Sequence, residues 1–445
     1  MLDDPRNLLA DVLKQASAKG ADAVDLIFRR EESRAARVRL GKIESVDASE
    51  TAQLGVRLFI GKQQAMAATT DFAPAACADL LDRALKMAQL APEDPYCGLA
   101  APGQLVSTPP TLDIFDSTEA SAADLVELAR VTEAAALAVP GVTNTEEAEA
   151  GWSRSAVYLL QSKGFSGHYR RSHFAASVAA VAGKDTAMER DYDYSSAVYR
   201  ADLLPAAEVG GKAGARAVRR LGARKMPTGK MPVVFEPRIA ASFLGHLISA
   251  INGASIARRT SFLQGDLGKQ IFPPGFTVVD DPHRPRGLRS RPFDVEGLAT
   301  APRQLIADGV LMTWLLDLRS ARQLGLASTG HASRGASSPP GASASNCHIG
   351  AGMIAPADLM RDIREGFYVT ELIGMGVNGI TGDYSRGASG FWIENGQITH
   401  PVNEMTIAGN LRDIFRHMIA ADDLILRLER EAPTLRVDGM TVAGL

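Results

Sequence analysis

From Ala23 to Ile60 the strands of this sequence follow one another with only turns between them, an order that excludes a parallel β-α-β sheet at the start of the chain. Ala23-Val-Asp-Leu-Ile-Phe28 and Val56-Arg-Leu-Phe-Ile60 read as apolar strands. Ala35-Ala-Arg-Val-Arg-Leu40 alternates before the Gly41-Lys42 turn, and Gly61-Lys62 supplies the next one. Helical spacing occurs on either side of these strands. It joins Leu8, Leu9, Val12, Leu13 and Ala16 before them, and Cys77, Leu80, Leu81, Ala84, Leu85 and Ala88 after them. Helix, several strands, helix is an α+β pattern.

A Pro/Gly-rich stretch at 91–111 reads as a linker or surface loop. Beyond it the spacing predicts a helix over Asp124–Leu137, meander strands at 157–160, 164–181 and 191–198, and a helix over Ala206–Leu221. Lys225-Met-Pro-Thr-Gly-Lys230 marks a boundary. We therefore expect an N-terminal α+β domain over residues 1–224, with a secondary boundary near 91–111, and a second domain over 225–445. That second domain reads as β-rich and mostly antiparallel around one or two helices, chiefly Arg238–Ile256, with strands at 231–235, 276–279, 310–315 and 407–410. Ser328–Asn346, rich in Gly, Ser, Ala and Pro, is expected to be a mobile loop.

Composition narrows the function classes. The 445 residues carry 48 Lys and Arg against 51 Asp and Glu, a net charge of −3, so the basic excess of a nucleic-acid binder is missing. Three scattered cysteines, none in a C-x-x-C, suit a reducing compartment better than a disulfide scaffold or a Cys-rich zinc module. The start Met1-Leu-Asp-Asp-Pro-Arg does not read as a signal peptide, and no stretch approaches the roughly 20 apolar residues of a spanning helix. A cytoplasmic protein is expected.

The chemistry-bearing patterns are sparse. Zinc hydrolysis needs converging His or carboxylate ligands and a Glu base. None of the eight histidines pairs at i,i+4, so H-E-x-x-H is absent. His168 and His173 lie five apart in an alternating run and should face opposite sides of a strand. Cys347-His348 has no third partner at a ligand spacing, and no G-x-S-x-G elbow occurs. Gly374-Met-Gly-Val-Asn-Gly379 matches the dinucleotide fingerprint, yet the Gly/Ser-rich run after it cannot supply the required helix. On the 238–256 helix, His246 flanks an apolar face made by Ile239, Phe243, Leu247 and Ile251.

Longer strings are more specific. Thr260-Ser-Phe-Leu263 with Leu267-Gly-Lys-Gln-Ile-Phe272, Pro292-Phe-Asp-Val-Glu-Gly297, Asp308-Gly-Val-Leu311 and Ser328-Thr-Gly-His331 lead to Gly379-Ile-Thr-Gly-Asp-Tyr-Ser-Arg-Gly-Ala-Ser-Gly-Phe-Trp392 and Ala408-Gly-Asn-Leu411. With Gly41-Lys-Ile-Glu44, Gly55-Val-Arg57 and Thr69-Thr-Asp71, they resemble the TldD/PmbA family, in its PmbA (TldE) branch, over nearly the whole chain.

The resemblance implies a cytoplasmic protease of two related subunits, TldD and TldE, acting on unfolded or modified peptides. In the TldD branch an H-E-x-x-x-H helix and a late Cys hold zinc. By similarity, Gly245 and His246 stand where that branch has His-Glu and Ala250 where it has the second His, and no cysteine follows Cys347. The expectation is therefore a chain with no catalytic, cofactor-binding or metal residues of its own, zinc belonging to a TldD-like partner in a heterodimer. A homodimer when alone, extended peptides as substrates, and no direct nucleic-acid or membrane contact complete it. His246, Asp383, Tyr384, Ser385 and Arg386 are the expected peptide-facing residues, and the free edges of a β-rich domain suit strand addition. The rival expectation is a regulatory protein binding DNA gyrase.

Overall fold

The computed structural model describes residues 4–444. Its first half is one antiparallel sheet of six long strands, β1 (Ala23–Arg39), β2 (Lys42–Ile60), β3 (Gln63–Thr69), β4 (Val142–Gln161), β5 (Ser166–Ala182) and β6 (Glu189–Ala197), in the order β3-β2-β1-β4-β5-β6. Residues 91–111 therefore join two parts of a continuous sheet, since β1 pairs with β4. Four helices cover one face: α1 (Arg6–Ala18), α2 (Pro74–Leu90), α3 (Ala122–Leu137) and α4 (Ala206–Arg219). Alternation decides the faces. Val24, Leu26 and Phe28 point into the core under α1 and α2, whereas Ile27 points the other way, against Phe293, Val295, Ala332 and Ala336 of the second half. Ser121 caps α3 by accepting the Asp124 amide at 3.1 Å.

The second half is built on a further six-stranded sheet of β7 (Gly229–Phe235), β14 (Glu365–Val377), β15 (Asp383–Glu394), β16 (Gln397–Asn410), β17 (Met418–Ala420) and β19 (Leu435–Ala443), in the order β16-β15-β14-β7-β19-β17. Pairing of Thr406–Ala408 with Thr441–Ala443 closes β16 on β19, so five of these strands form a barrel. A smaller sheet has the order β10-β9-β8-β13-β18, from β8 (Val278–Asp280), β9 (Arg303–Ala307), β10 (Val310–Leu311), β13 (Cys347–Ile349) and β18 (Arg430–Glu431). The two six-stranded sheets share no strand. Thus the chain is α+β, with mostly antiparallel sheets in both halves. No helix among the described residues is long and apolar enough to cross a membrane.

Five expectations need correction. The 238–256 helix is three short ones, α5 (Pro237–Ala240), α6 (Ser242–Ala250) and α7 (Gly253–Ala257). Its second break lies at Asn252, whose extended backbone lets Gly253 donate to the Leu315 carbonyl at 2.8 Å; a Cβ at Gly253 would sit 2.9 Å from that same oxygen. The strand at 310–315 stops at Leu311, and that at 276–279 begins at Val278. The free edges expected of a β-rich domain are not found on β16, because barrel closure gives it β19 as a second neighbour beside β15.

Finally, Ser328–Asn346, which contains β11 (Ala332–Ser333) and β12 (Gly341–Ala342), is tied down rather than loose. Buried Asp280 accepts from the Ser345 amide at 2.6 Å and its hydroxyl at 2.8 Å, and faces His331 Nε2 at 3.2 Å. Arg334 pairs with Asp25 of β1 at 3.1 Å, and Ala332 donates to Asp294 at 3.2 Å. Polar groups with partners hold this segment where apolar side chains are scarce.

Candidate functional site

Helix α6 and strand β15 meet at the predicted residues. On α6, Ser242, Phe243 and His246 share a face because they are three and four apart. On β15 the period of two turns Tyr384 and Arg386 toward that face and Asp383 and Ser385 away from it. The Tyr384 ring, 1% exposed, stacks on Phe243 at 5.9 Å and meets His246 edge-on at 5.8 Å. Four buried polar atoms here find no hydrogen-bond partner among the described residues: Ser242 Oγ, His246 Nε2, Tyr384 Oη and Arg386 Nε. Such a concentration is unusual, since buried polar atoms are nearly all bonded.

The electrostatics follow from burial. Desolvation, and then the Arg386 charge, push His246 down to about 4, so its imidazole is neutral at neutral pH. Burial raises the Tyr384 phenol, which stays protonated. The corner therefore offers a neutral imidazole, a phenol donor, a hydroxyl and one guanidinium. These groups suit a peptide carbonyl or carboxylate.

The remaining predicted residues lie elsewhere. Asp383 and Ser385 are exposed on the opposite face of β15. Asp383 accepts from Thr381 at 2.6 Å and Asn410 at 3.2 Å, bonds that hold its carboxyl below the usual range; it belongs to the turn and not to the corner. Cys347 is fully buried opposite Asp280, and desolvation drives its thiol far up. His173 bonds Ser196 at 2.6 Å while His168 stacks on Tyr158 at 5.4 Å, one on each face of β5. The Gly374–Gly379 run ends β14 and turns into β15, with no helix after it.

Two contributors were missed. Ser242 was findable, one helical turn before His246. Arg430 was not: a Cβ on Gly245 would lie 3.6 Å from its Nη1, a neighbour supplied by a strand far along the chain. With Arg430 beside Gly245 and Arg386 beside His246, α6 is flanked by cations where zinc would demand anionic or neutral donors. Gly245 and Ala250 have no donor atoms, and among the described residues no group of three His, Cys, Asp or Glu side chains is placed to hold a metal ion. These residues do not fit a zinc ion.

Comparison with known proteins places this geometry. Residues 24–88, 115–221 and 228–444 match, in order, domain 1, the central domain and the C-terminal domain of the PmbA/TldA metallopeptidases. The chain is 36% identical to metalloprotease PmbA of Escherichia coli O157:H7, spanning 98% of this chain and 95% of that one. It is 33% identical to a metalloprotease PmbA homolog of Haemophilus influenzae over 99% and 96% of the two chains. A Bacteroides thetaiotaomicron structure described as a candidate modulator of DNA gyrase superposes with a TM-score of 0.92 at 26% identity, covering all of both chains. TldE of Thermococcus kodakarensis, at 21% identity, shares the fold with a TM-score of 0.88 over 98% of this chain and 100% of its own. The chain belongs to the PmbA/TldD metallopeptidase family.

Proposed function

We propose that this chain is the metal-free, TldE-like subunit of a two-subunit cytoplasmic peptidase, and that its His246–Tyr384–Arg386 corner holds the peptide while a TldD-like partner carries zinc and cleaves it. The observation that carries the reading is the α6 donor set: one neutral histidine between two donor-less positions and two guanidiniums. Such a set repels a cation and attracts a carbonyl or carboxylate. The metallopeptidase relatives supply the reaction class. The β14–β15 hairpin, which exposes Ile373, Met375 and Ile380, supports a partner surface.

On this reading the chain's own residues bind and orient. Tyr384 Oη donates to a backbone carbonyl, Arg386 neutralises a carboxylate, and the buried neutral imidazole pairs with an amide. Peptide binding satisfies atoms that the free protein leaves unmatched.

Reconstitution tests it. The purified chain should carry no stoichiometric zinc and cleave no unfolded peptide, and adding a TldD-like subunit should give chelator-sensitive cleavage with the metal on that subunit. About one zinc per chain, lost together with peptidase activity on His246→Ala, refutes the reading. Copurification with gyrase in place of a TldD-like chain favours the regulatory alternative.

A further inference from the structure

Between the open face of the first sheet and the second half lies a small cavity of about 90 Å³. Ile27 and Arg29 of β1, Val157 of β4, and Tyr169 and Arg171 of β5 form one wall. Arg289, Arg291, Phe293 and Arg334 are prominent in the other. Five arginines thus line one cavity, and among the described residues no carboxylate lines it.

Two of the five charges are answered nearby. Arg289, exposed, bonds Glu429 at 2.7 Å, and Arg334, buried, pairs with Asp25 at 3.1 Å. Asp25 is itself shared with Arg57 at 3.0 Å. Among the described residues, Arg29, which is exposed, and Arg171 and Arg291, which are half-buried, have only backbone oxygens as hydrogen-bond acceptors. Arg29 donates to the Arg334 carbonyl at 3.1 Å, Arg171 to the Ser290 carbonyl, and Arg291 to the carbonyls of Ala332 at 3.3 Å and Ser343 at 2.9 Å. The Nε atoms of Arg171 and Arg291 are buried and meet no acceptor among the described residues. Burial, together with the charges of Arg289, Arg291 and Arg29, lowers the Arg171 pKa. Holding the Arg171 and Arg291 charges together away from water is costly unless a counter-charge joins them.

We propose that this cavity is a binding site for a small tetrahedral oxoanion of the phosphate class, held by Arg29, Arg171 and Arg291 across the junction of the two halves. Guanidiniums match the oxygens of such an ion in paired N–H···O geometry. The cavity is far below the roughly 300 Å³ at which organic-ligand pockets begin, so an ion of a few heavy atoms fits and a nucleotide does not. Because the wall residues come from both halves, the bound ion ties the first sheet to Arg289–Phe293 and to the 328–346 segment. It lies apart from the α6–β15 corner and is independent of the peptidase reading.

Calorimetric titration of the full chain with sodium phosphate, at ionic strength held constant with sodium chloride, should show one saturable site per chain with Kd about 1 mM or tighter. The melting temperature should rise and then plateau over the same range. Arg171→Gln and Arg291→Gln should each weaken binding at least tenfold, and Arg289→Gln, at an exposed position, by less. Phenyl phosphate titrated in parallel separates the sources: binding of inorganic phosphate alone identifies a free ion, and equal or tighter binding of the ester identifies a phosphorylated group. Absence of saturable heat in the unmodified chain overturns the proposal whatever the variants do. Equal binding by the unmodified chain and by both Arg171→Gln and Arg291→Gln overturns it as well.

Discussion

Tyr384→Phe separates what the α6–β15 corner does for folding from what it does for peptide. The substitution keeps the ring, and with it the contacts to Phe243 at 5.9 Å and His246 at 5.8 Å. It removes one buried oxygen that has no hydrogen-bond partner among the described residues. An unsatisfied buried hydroxyl costs about 1–3 kcal/mol. Because no packing volume is lost around a residue that is 1% exposed, removal should return most of that. We expect the isolated chain to gain about 1 kcal/mol. For a cooperative unit of roughly 150–250 residues that is a rise in melting temperature of about 2–4 °C. Urea unfolding should show a higher midpoint with an unchanged slope. In the reconstituted peptidase the same variant should lose peptide affinity, since the phenol donor meets a carbonyl only in the complex. A Tyr384→Phe chain destabilised by about 1 kcal/mol or more would refute the reasoning, for it would mean that the hydroxyl is already bonded in the free protein.

Three further predictions concern other parts of the fold. His246 is held at about 4 in the folded chain against about 6.5 unfolded, so its contribution is intact above pH 6.5 and is lost as pH falls toward 4, because only the unfolded state takes up the proton in that window; His246→Gln should flatten the stability–pH curve there by about 2–3 kcal/mol, and an unchanged curve contradicts the burial of the imidazole. A Cβ at Gly55 would lie 2.0 Å from the Ala336 carbonyl oxygen, so Gly55→Ala should destabilise the junction by about 1–3 kcal/mol in denaturant melts, and a neutral result would mean the segment yields freely. The amides of Ala332, Ser343 and Ser345 should be protected in hydrogen exchange, with Asp280→Ala abolishing protection at Ser345; fast exchange in the unmodified chain would restore the mobile loop.

Much of the architecture was legible in local pattern. Period-two alternation and Gly-Lys turns locate parts of the first sheet, and 3.6 spacing places α1–α4, because each element must bury one face and the spacing says which. Residues 23–28 and 35–40 prove to be two ends of the single strand β1, 56–60 and 157–160 are only the last stretches of β2 and β4, and β3 escapes this reading. The false dinucleotide fingerprint was also legible, since Gly/Ser-rich residues after Gly379 cannot make a helix. The site was half legible: alternation along β15 already splits Asp383 and Ser385 from Tyr384 and Arg386, even though all four were expected together.

What lay beyond the sequence depends on partners distant along the chain. Local spacing carries no information about whether β16 finds β19, so barrel closure, and the loss of free edges with it, belongs to the tertiary structure. The same holds for Arg430 beside Gly245 and for Asn252 breaking a helix so that Gly253 can approach Leu315. The 328–346 segment makes the point most clearly. Composition counts its apolar residues and finds too few, whereas its order comes from Asp280, Asp294 and Asp25, which the fold carries to it from other strands and loops. A residue's own face is set by the local period of its element, but the identity of the group opposite that face is set only when the elements pack.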